Sequence, residues 1–345
     1  MIKILMLYKN DLFYDDSDTK ALAGTQTAFI ELSKAFLGIG CMVDVLTTTT
    51  KEHVENHYYW GNLNSKKIKD SYDFLIVNVS PHLFFDFRKI KAHKKVLWIH
   101  NEAKYLLYWS RLKYILRFLP IIVFSGRYHS STLPFFIPSG GRKIIYYGLS
   151  KSVFDCEKEK VIPIEKKVFF TSNPLRSLRW LVDIWVNHIY PVFPDATLHV
   201  FSNWKTYGAW GNSVQERMKK ELDYANSFKG SNVILRDVLP KDELFKELKT
   251  GRAMFYKGDK AETFCLAVAE VQALGLPAVV CDLGSMKERV EHDRTGFVVN
   301  NDKKFIECAI RILQEDNLFD KFSINAINKY KNLNWERSAY KFLEV

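Results

Sequence analysis

The chain has 345 residues, 47% hydrophobic and 26% charged, with a formal net charge of +11. Such a length suits about two ordinary domains, and the composition matches that of a soluble globular protein. No run of 18 uncharged apolar residues occurs, so no transmembrane helix is expected.

Cys41, Cys156, Cys265, Cys281 and Cys308 form no C-x-x-C pair, which argues against zinc and against a disulfide framework and fits a reducing cytoplasm. The positive charge points to an anionic partner: a nucleotide, a nucleic acid or an anionic membrane surface. Lys-rich composition bias accounts for part of it. Met1 to Tyr8 reads as a buried first strand, because Lys9, Asn10 and Asp11 cut it off too early for a signal segment.

Ile2 to Leu7 is the predicted first strand. A loop with Asp15, Asp16 and Asp18 leads to Ala23-Gly24-Thr25-Gln26. A helix starts there, with Phe29, Leu32, Ala35 and Phe36 in helical period, and Gly38 and Gly40 end it. Val43 to Leu46 follows as a strand, completing a βαβ opening. The junction is not G-x-G-x-x-G, so no dinucleotide site is indicated. Asp16-x-Asp18 mimics a metal motif, but its loop setting speaks against one. Phe74–Asn78 and Val96–His100 read as parallel strands. Such sheets bind ligands beyond the carboxyl ends of their strands, where His100 falls.

Glu102 to Pro120 reads as one amphipathic helix with Leu107, Tyr108, Leu112, Ile115 and Leu119 on its apolar face. Lys104, Arg111, Lys113 and Arg117 are interleaved with its aromatics. Either this helix packs on the sheet, or it lies on a membrane surface. The cluster Arg88, Lys89, Lys91, Lys94 and Lys95 supports the second reading. Strands at Ile121–Ser125 and Lys143–Gly148 precede a polar linker at 149–165. The expected domains are therefore 1–155 and 160–332, with a last helix at 333–345.

The second domain opens on the strand Val168–Asn173 and the loop Pro174 to Leu178. Strands follow at Asp195–Phe201 and Val233–Pro240. Residues 204–231, with Trp204 and Trp210, read as an insertion without a base-stacking pattern, so no nucleic-acid partner is expected. Glu262 to Pro277 reads as loop, helix and turn. Leu266, Ala269, Val271, Ala273 and Leu274 supply apolar faces, and Gly275 and Pro277 close the helix. If the helix starts near Phe264, the amides of Thr263, Phe264, Cys265 and Leu266 form an anion seat. Glu262 and Glu270 bracket it. On their own, two glutamates so spaced are commonly solvated charges; around an anion seat they suit the hydroxyls and diphosphate of a sugar nucleotide.

The surrounding words add to this. E-x7-E, then A-L-G-L-P-A-V-V-C-D-L-G-S, then E-H-D-R-T-G-F-V-V, spanning Phe255 to Val299, resembles the C-terminal signature of retaining GT-B glycosyltransferases, in particular glycosyltransferase family 4. The resemblance implies an α/β fold of two doubly wound, Rossmann-like domains facing a cleft, with the last helix returning to the first domain. It implies transfer of a hexose or acetamidohexose from a UDP- or GDP-linked donor to a glycan or lipid-linked acceptor. Neither a metal nor a cofactor is implied, nor a dedicated nucleophile. By resemblance, Glu270 takes the ribose hydroxyls, Arg176 and the 263–266 amides take the diphosphate, Glu262 takes a sugar hydroxyl, and His100 and Gly24 approach the sugar from the first domain. Contact with an anionic membrane through 102–120 is expected, at the cytoplasmic face.

The chain departs from the family pattern at several points. Ala23 stands for the first of two glycines, and Tyr147 for an asparagine. Ser172 or Asn173 stands for an arginine, with Lys257 or Lys260 as candidate substitutes. Asp237, Thr263 and Cys265 each stand for a glycine. Thr263 and the missing arginine favour another reading, an inactive GT-B relative serving as a membrane-surface scaffold, against which the intact E-x7-E argues. A sugar-nucleotide epimerase on the same fold would need base-like carboxylates and histidines clustered in the first domain, which the sequence does not show.

Overall fold

The computed structural model describes residues 1–157 and 165–345. It divides into two compact units. The first comprises Met1–Ser17, Gly24–Gly148 and Leu333–Val345; the second comprises Asp18–Ala23 and Leu149–Asn332.

The first unit is built on an eight-stranded sheet. Its strands are β1 (Lys3–Tyr8), β2 (Met42–Thr47), β3 (His53–Glu55), β4 (Tyr58–Asn62), β5 (Ser71–Asn78), β6 (Lys91–Trp98), β7 (Ile121–Phe124) and β8 (Gly141–Ile144). Their spatial order is β3-β4-β2-β1-β5-β6-β7-β8, and every pairing is parallel except β3 with β4. The central strands are apolar on both faces because helices cover both. Register decides which side chains meet. Leu5 pairs with Leu75, and Val77 with Leu97. With Ile99, Ile122 and Phe124 these residues form one core cluster on one face of the sheet. The β3–β4 hairpin was hidden in sequence, since its polar turn holds Asn56 at φ 45° and β3 is a short, half-exposed edge.

The expected helix at 102–120 is two pieces. Ala103–Leu107 is a 3₁₀ turn, Tyr108 is extended, and the α-helix runs Trp109–Phe118. The Ala103 amide donates to Thr132 Oγ1 at 2.8 Å, which ties the first turn to its neighbour. Restarting the helix after Tyr108 resets its angular phase. The five residues of the expected apolar face therefore separate: Ile115 is buried, Leu112 half-buried, and Leu107, Tyr108 and Leu119 exposed.

The C-terminal helix Trp335–Leu343 packs on the helix Gly24–Gly38, with Phe342 against Phe36 and Trp98. Gly148 sits beneath its first residue. A Cβ there would lie 2.2 Å from the Trp335 nitrogen.

The second unit has six parallel strands: β9 (Lys167–Phe170), β10 (Thr197–Phe201), β11 (Val233–Arg236), β12 (Ala253–Tyr256), β13 (Ala278–Cys281) and β14 (Gly296–Val299), in the order β11-β10-β9-β12-β13-β14. Residues 204–231 are not an insertion. The parallel pair β10–β11 needs a crossover, and the helix Gln215–Asn226 supplies it, packing on β11 and on the helix Leu178–Ile184. Part of the expected linker, Lys151–Glu157, is a helix of this unit, whereas 158–164 lies outside the described residues.

Gly148→Ala should destabilise the first unit by about 1–3 kcal/mol, the usual range for overpacking. Equilibrium urea unfolding followed by tryptophan fluorescence would show a lower midpoint with unchanged slope.

Candidate functional site

The helix Leu266–Ala273 starts two residues later than its sequence pattern implies. Cys265, its N-cap, has φ 64°, in the left-handed region. A glycine adopts this conformation freely; a side chain there costs about 1–2 kcal/mol. The glycine that the resemblance places at this position thus has a backbone reason, and Cys265 carries strain in its stead. Its thiol is fully buried, and burial raises its pKa well above the usual value. Thr263 and Phe264 are buried in the approach, and Leu266 opens the helix. The first-turn amides lack acceptors within the helix.

Glu262 is buried just before this opening. Its backbone is fixed by a close approach: the Ser285 amide donates to the Glu262 carbonyl at 2.9 Å. Gly284, at φ 57°, passes so near that a Cβ would lie 2.6 Å from the same oxygen. The Glu262 carboxylate accepts from the Arg176 guanidinium, and from the Tyr256 hydroxyl at 3.1 Å. Ser172 Oγ donates to that hydroxyl at 3.2 Å. Burial is the largest single influence on Arg176 and works against its charge, but Glu262, with Tyr256, Cys265 and Tyr207 behind it, outweighs burial and raises the guanidinium's pKa. Asn173 builds the turn that aims Arg176. Its Oδ1 accepts from the Leu175 amide at 2.9 Å, and its carbonyl accepts from the Arg176 amide at 2.9 Å.

Glu270, a little over one turn into the helix, is also buried. Lys241 Nζ donates to both of its oxygens, at 2.8 and 2.6 Å. Lys241 opens the helix Lys241–Leu248 after β11 and lines a cavity of about 60 Å³ with Ser202, Asn203, Thr206 and Tyr207. The structure therefore places Glu262, Arg176 and Glu270 around the opening of one helix in the second unit. Because that helix begins at Leu266, the amides of Thr263 and Phe264 lie before its first turn, and the expected seat at 263–266 is not formed by helix amides alone. Sequence reasoning missed Lys241 and Tyr256, whose partners are set by tertiary packing. Of the candidate substitute cations, Lys257 lies over the Trp180 ring at 4.7 Å and Lys260 is exposed. Asp237 is exposed on its loop.

His100 and Gly24 belong to the first unit. Gly24 is exposed at the start of its helix. His100, two residues past the end of β6, is buried. Its Nε2 donates to Asn78 Oδ1 at 2.5 Å, and its Nδ1 accepts from the Tyr147 hydroxyl. Tyr147 thus serves the ring from the position where the resemblance expects an asparagine. Burial, and then the nearby His129, press the His100 pKa well below its usual value. His129 shares the same layer: Nε2 donates to the Asn101 carbonyl at 2.8 Å, and Nδ1 accepts from Ser125. Burial lowers its pKa to about 4. Asp16 caps a short turn, accepting from the Phe13 amide at 2.9 Å.

Two measurements test these local arguments. Cys265→Gly should be more stable than Cys265→Ala by about 1 kcal/mol, since both lose the thiol and only glycine relieves the left-handed strain; equal urea midpoints would refute the strain. The second concerns pH. His129 is neutral when folded and has a depressed pKa, so below about 6.5 the unfolded chain binds the extra proton. Stability should fall by about 1.4 kcal/mol per pH unit for His129 alone as pH drops from about 6.5 to about 4. His129→Asn should flatten that slope.

Residues 165–315 match the family described as Glycosyl transferases group 1. D-inositol 3-phosphate glycosyltransferase from Nocardioides sp. is 28% identical over 86 residues, 24% of this chain and 19% of that protein. The chain spans less than half the length of the curated relatives it matches. Among solved structures, sucrose-phosphate synthase from Thermosynechococcus elongatus superposes with a TM-score of 0.78 at 14% identity, covering 100% of this chain and 98% of that one. Alr3699/HepE from Anabaena, in complex with UDP and glucose, superposes with a TM-score of 0.71 at 13% identity, covering 100% of this chain and 99% of that one. The chain therefore has the GT-B fold of these structures, and its residues 165–315 are similar to the glycosyl transferases group 1 family.

Proposed function

We propose that the chain is a retaining, metal-independent glycosyltransferase that moves a hexose or acetamidohexose from a nucleoside-diphosphate sugar to a hydroxyl of a glycan or lipid-linked acceptor. One observation carries this reading. Two buried carboxylates, Glu262 and Glu270, flank the opening of one helix, each matched to a cation. A buried carboxylate needs a partner, and here each has a cation that orients it as an acceptor.

A diphosphate seated at the opening of the helix Leu266–Ala273 competes with Glu262 for Arg176. As Arg176 turns to the phosphate, Glu262 keeps Tyr256 and gains free lone pairs for a sugar hydroxyl. Glu270 already holds Lys241, yet a carboxylate has about four lone-pair sites, enough to accept the ribose hydroxyls as well. In the transfer step the acceptor oxygen bonds to the anomeric carbon as the bond to the diphosphate breaks. The acceptor proton passes to the departing phosphate. Arg176 and the helix amides stabilise the charge that develops there. The complex of HepE with UDP and glucose favours a uridine donor.

A thermal-shift panel of UDP, GDP and CMP with their sugar conjugates tests this. Ligand at about 100 times its dissociation constant adds about 2.7 kcal/mol of stability. A shift with UDP that disappears in Glu270→Ala is expected. Absence of any shift across the panel would remove the donor-site assignment. Where binding is found, Glu262→Gln should lower transfer by about 10²-fold or more with little loss of UDP affinity, as expected for an orienting contact. Radiolabelled sugar transfer measures it.

A further inference from the structure

We propose that the first unit carries a docking face for an anionic lipid bilayer, formed by the layer of the helices Leu83–Asp86 and Trp109–Phe118 and the 133–137 loop. Charge is the first argument. Between Phe87 and Ser150 there are twelve Lys and Arg residues and one acid, Glu102, so this stretch alone holds an excess equal to the +11 of the whole chain. The remaining residues balance. Among the described residues, Arg88, Lys91, Lys94, Arg111, Lys113 and Arg117 make no ion pair with a carboxylate. Several lie on aromatic rings instead: Arg88 and Arg117 over Phe85, Arg111 over Tyr105, and Lys113 over Tyr114.

Exposure is the second argument. Nine of the sixteen exposed large hydrophobic side chains among the described residues fall between Phe85 and Ile144. Trp109 is 68% exposed and Phe135 91%. They share one layer, because Leu83, Phe84, Leu106, Ile115, Leu133 and Ile137 all enter the core cluster on one face of the sheet. The outer side of that layer is what the aromatics occupy. The 133–137 loop is also held from within. The Arg142 guanidinium donates to the carbonyls of Leu133, Pro134, Phe135 and Ile137 at 2.6 to 3.3 Å, so Phe135 and Phe136 are kept pointing outward.

Cations without a carboxylate partner draw the face to anionic headgroups. Exposed aromatics then enter the headgroup boundary, as in interfacial helices. A nucleic acid or another soluble polyanion would use the cations but would leave Leu116, Leu119, Phe135 and Phe136 without a partner.

Co-sedimentation of the full chain with phosphatidylglycerol–phosphatidylcholine vesicles, against pure phosphatidylcholine vesicles, tests the proposal. Binding to the anionic vesicles only, weakened by salt, is expected. Arg111→Glu with Arg117→Glu should lower partitioning by on the order of tenfold or more. Trp109→Ser with Phe135→Ser and Phe136→Ser should lower it comparably, with Tm unchanged because these side chains are exposed. No binding to anionic vesicles would overturn the proposal. So would binding indifferent to the three aromatic changes and fully competed by heparin, which would identify a soluble polyanion as the occupant. No donor or acceptor takes part in this measurement, so its outcome is separate from that of the transferase reading.

Discussion

A charge buried away from water has to be answered by another, and the second unit is arranged around two such answers. Glu262 meets Arg176 and Tyr256; Glu270 meets Lys241. Removing one partner from a buried pair is far more damaging than removing both, because an uncompensated charge remains. The site thus depends on elements distant in sequence being placed together: the turn after β9, the helix after β11, the end of β12 and the helix before β13. Parallel strands with crossovers do this naturally, since they deliver every such loop to the same edge of the sheet.

Backbone geometry sets the rest. Gly284 lets its turn approach the Glu262 carbonyl, and Ser285 secures it with an amide. Cys265 bends the chain into the helix through a conformation that strains an ordinary residue. Strain of this kind persists only where the surroundings over-determine it. Here a buried thiol, the Phe264 ring beneath Arg289 at 4.0 Å and the paired Glu262 all hold the turn in place.

Much of this was legible in the sequence. The apolar strands and the βα alternation pointed to the fold class, because local periodicity records such features directly; the two carboxylates of E-x7-E stood out only through the family resemblance of the words around them. What was hidden was tertiary. Lys241 lies 29 residues before Glu270 and carries no local mark of its partner. The start of the site helix moved by two residues because one residue took a left-handed backbone. The helix at 102–120 looked continuous because a helical wheel assumes an unbroken phase, and Tyr108 breaks it. The crossover at 204–231 looked like an insertion because its polar helix Gln215–Asn226 buries little more than Met218, Leu222 and Ala225.

The C-terminal helix has a consequence for how the chain is made. Trp335 to Leu343 completes the first unit by covering Trp98 and Phe36 and seating over Gly148, yet it follows the whole of the second unit in the chain. During synthesis, which runs from the N-terminus at about 5–20 residues per second, the first sheet is finished early but keeps an apolar seam open while the second unit is still being added. The second unit has all its strands before that seam can close. Vectorial synthesis therefore reverses the order in which the two units reach completion: the one begun first is the one sealed last.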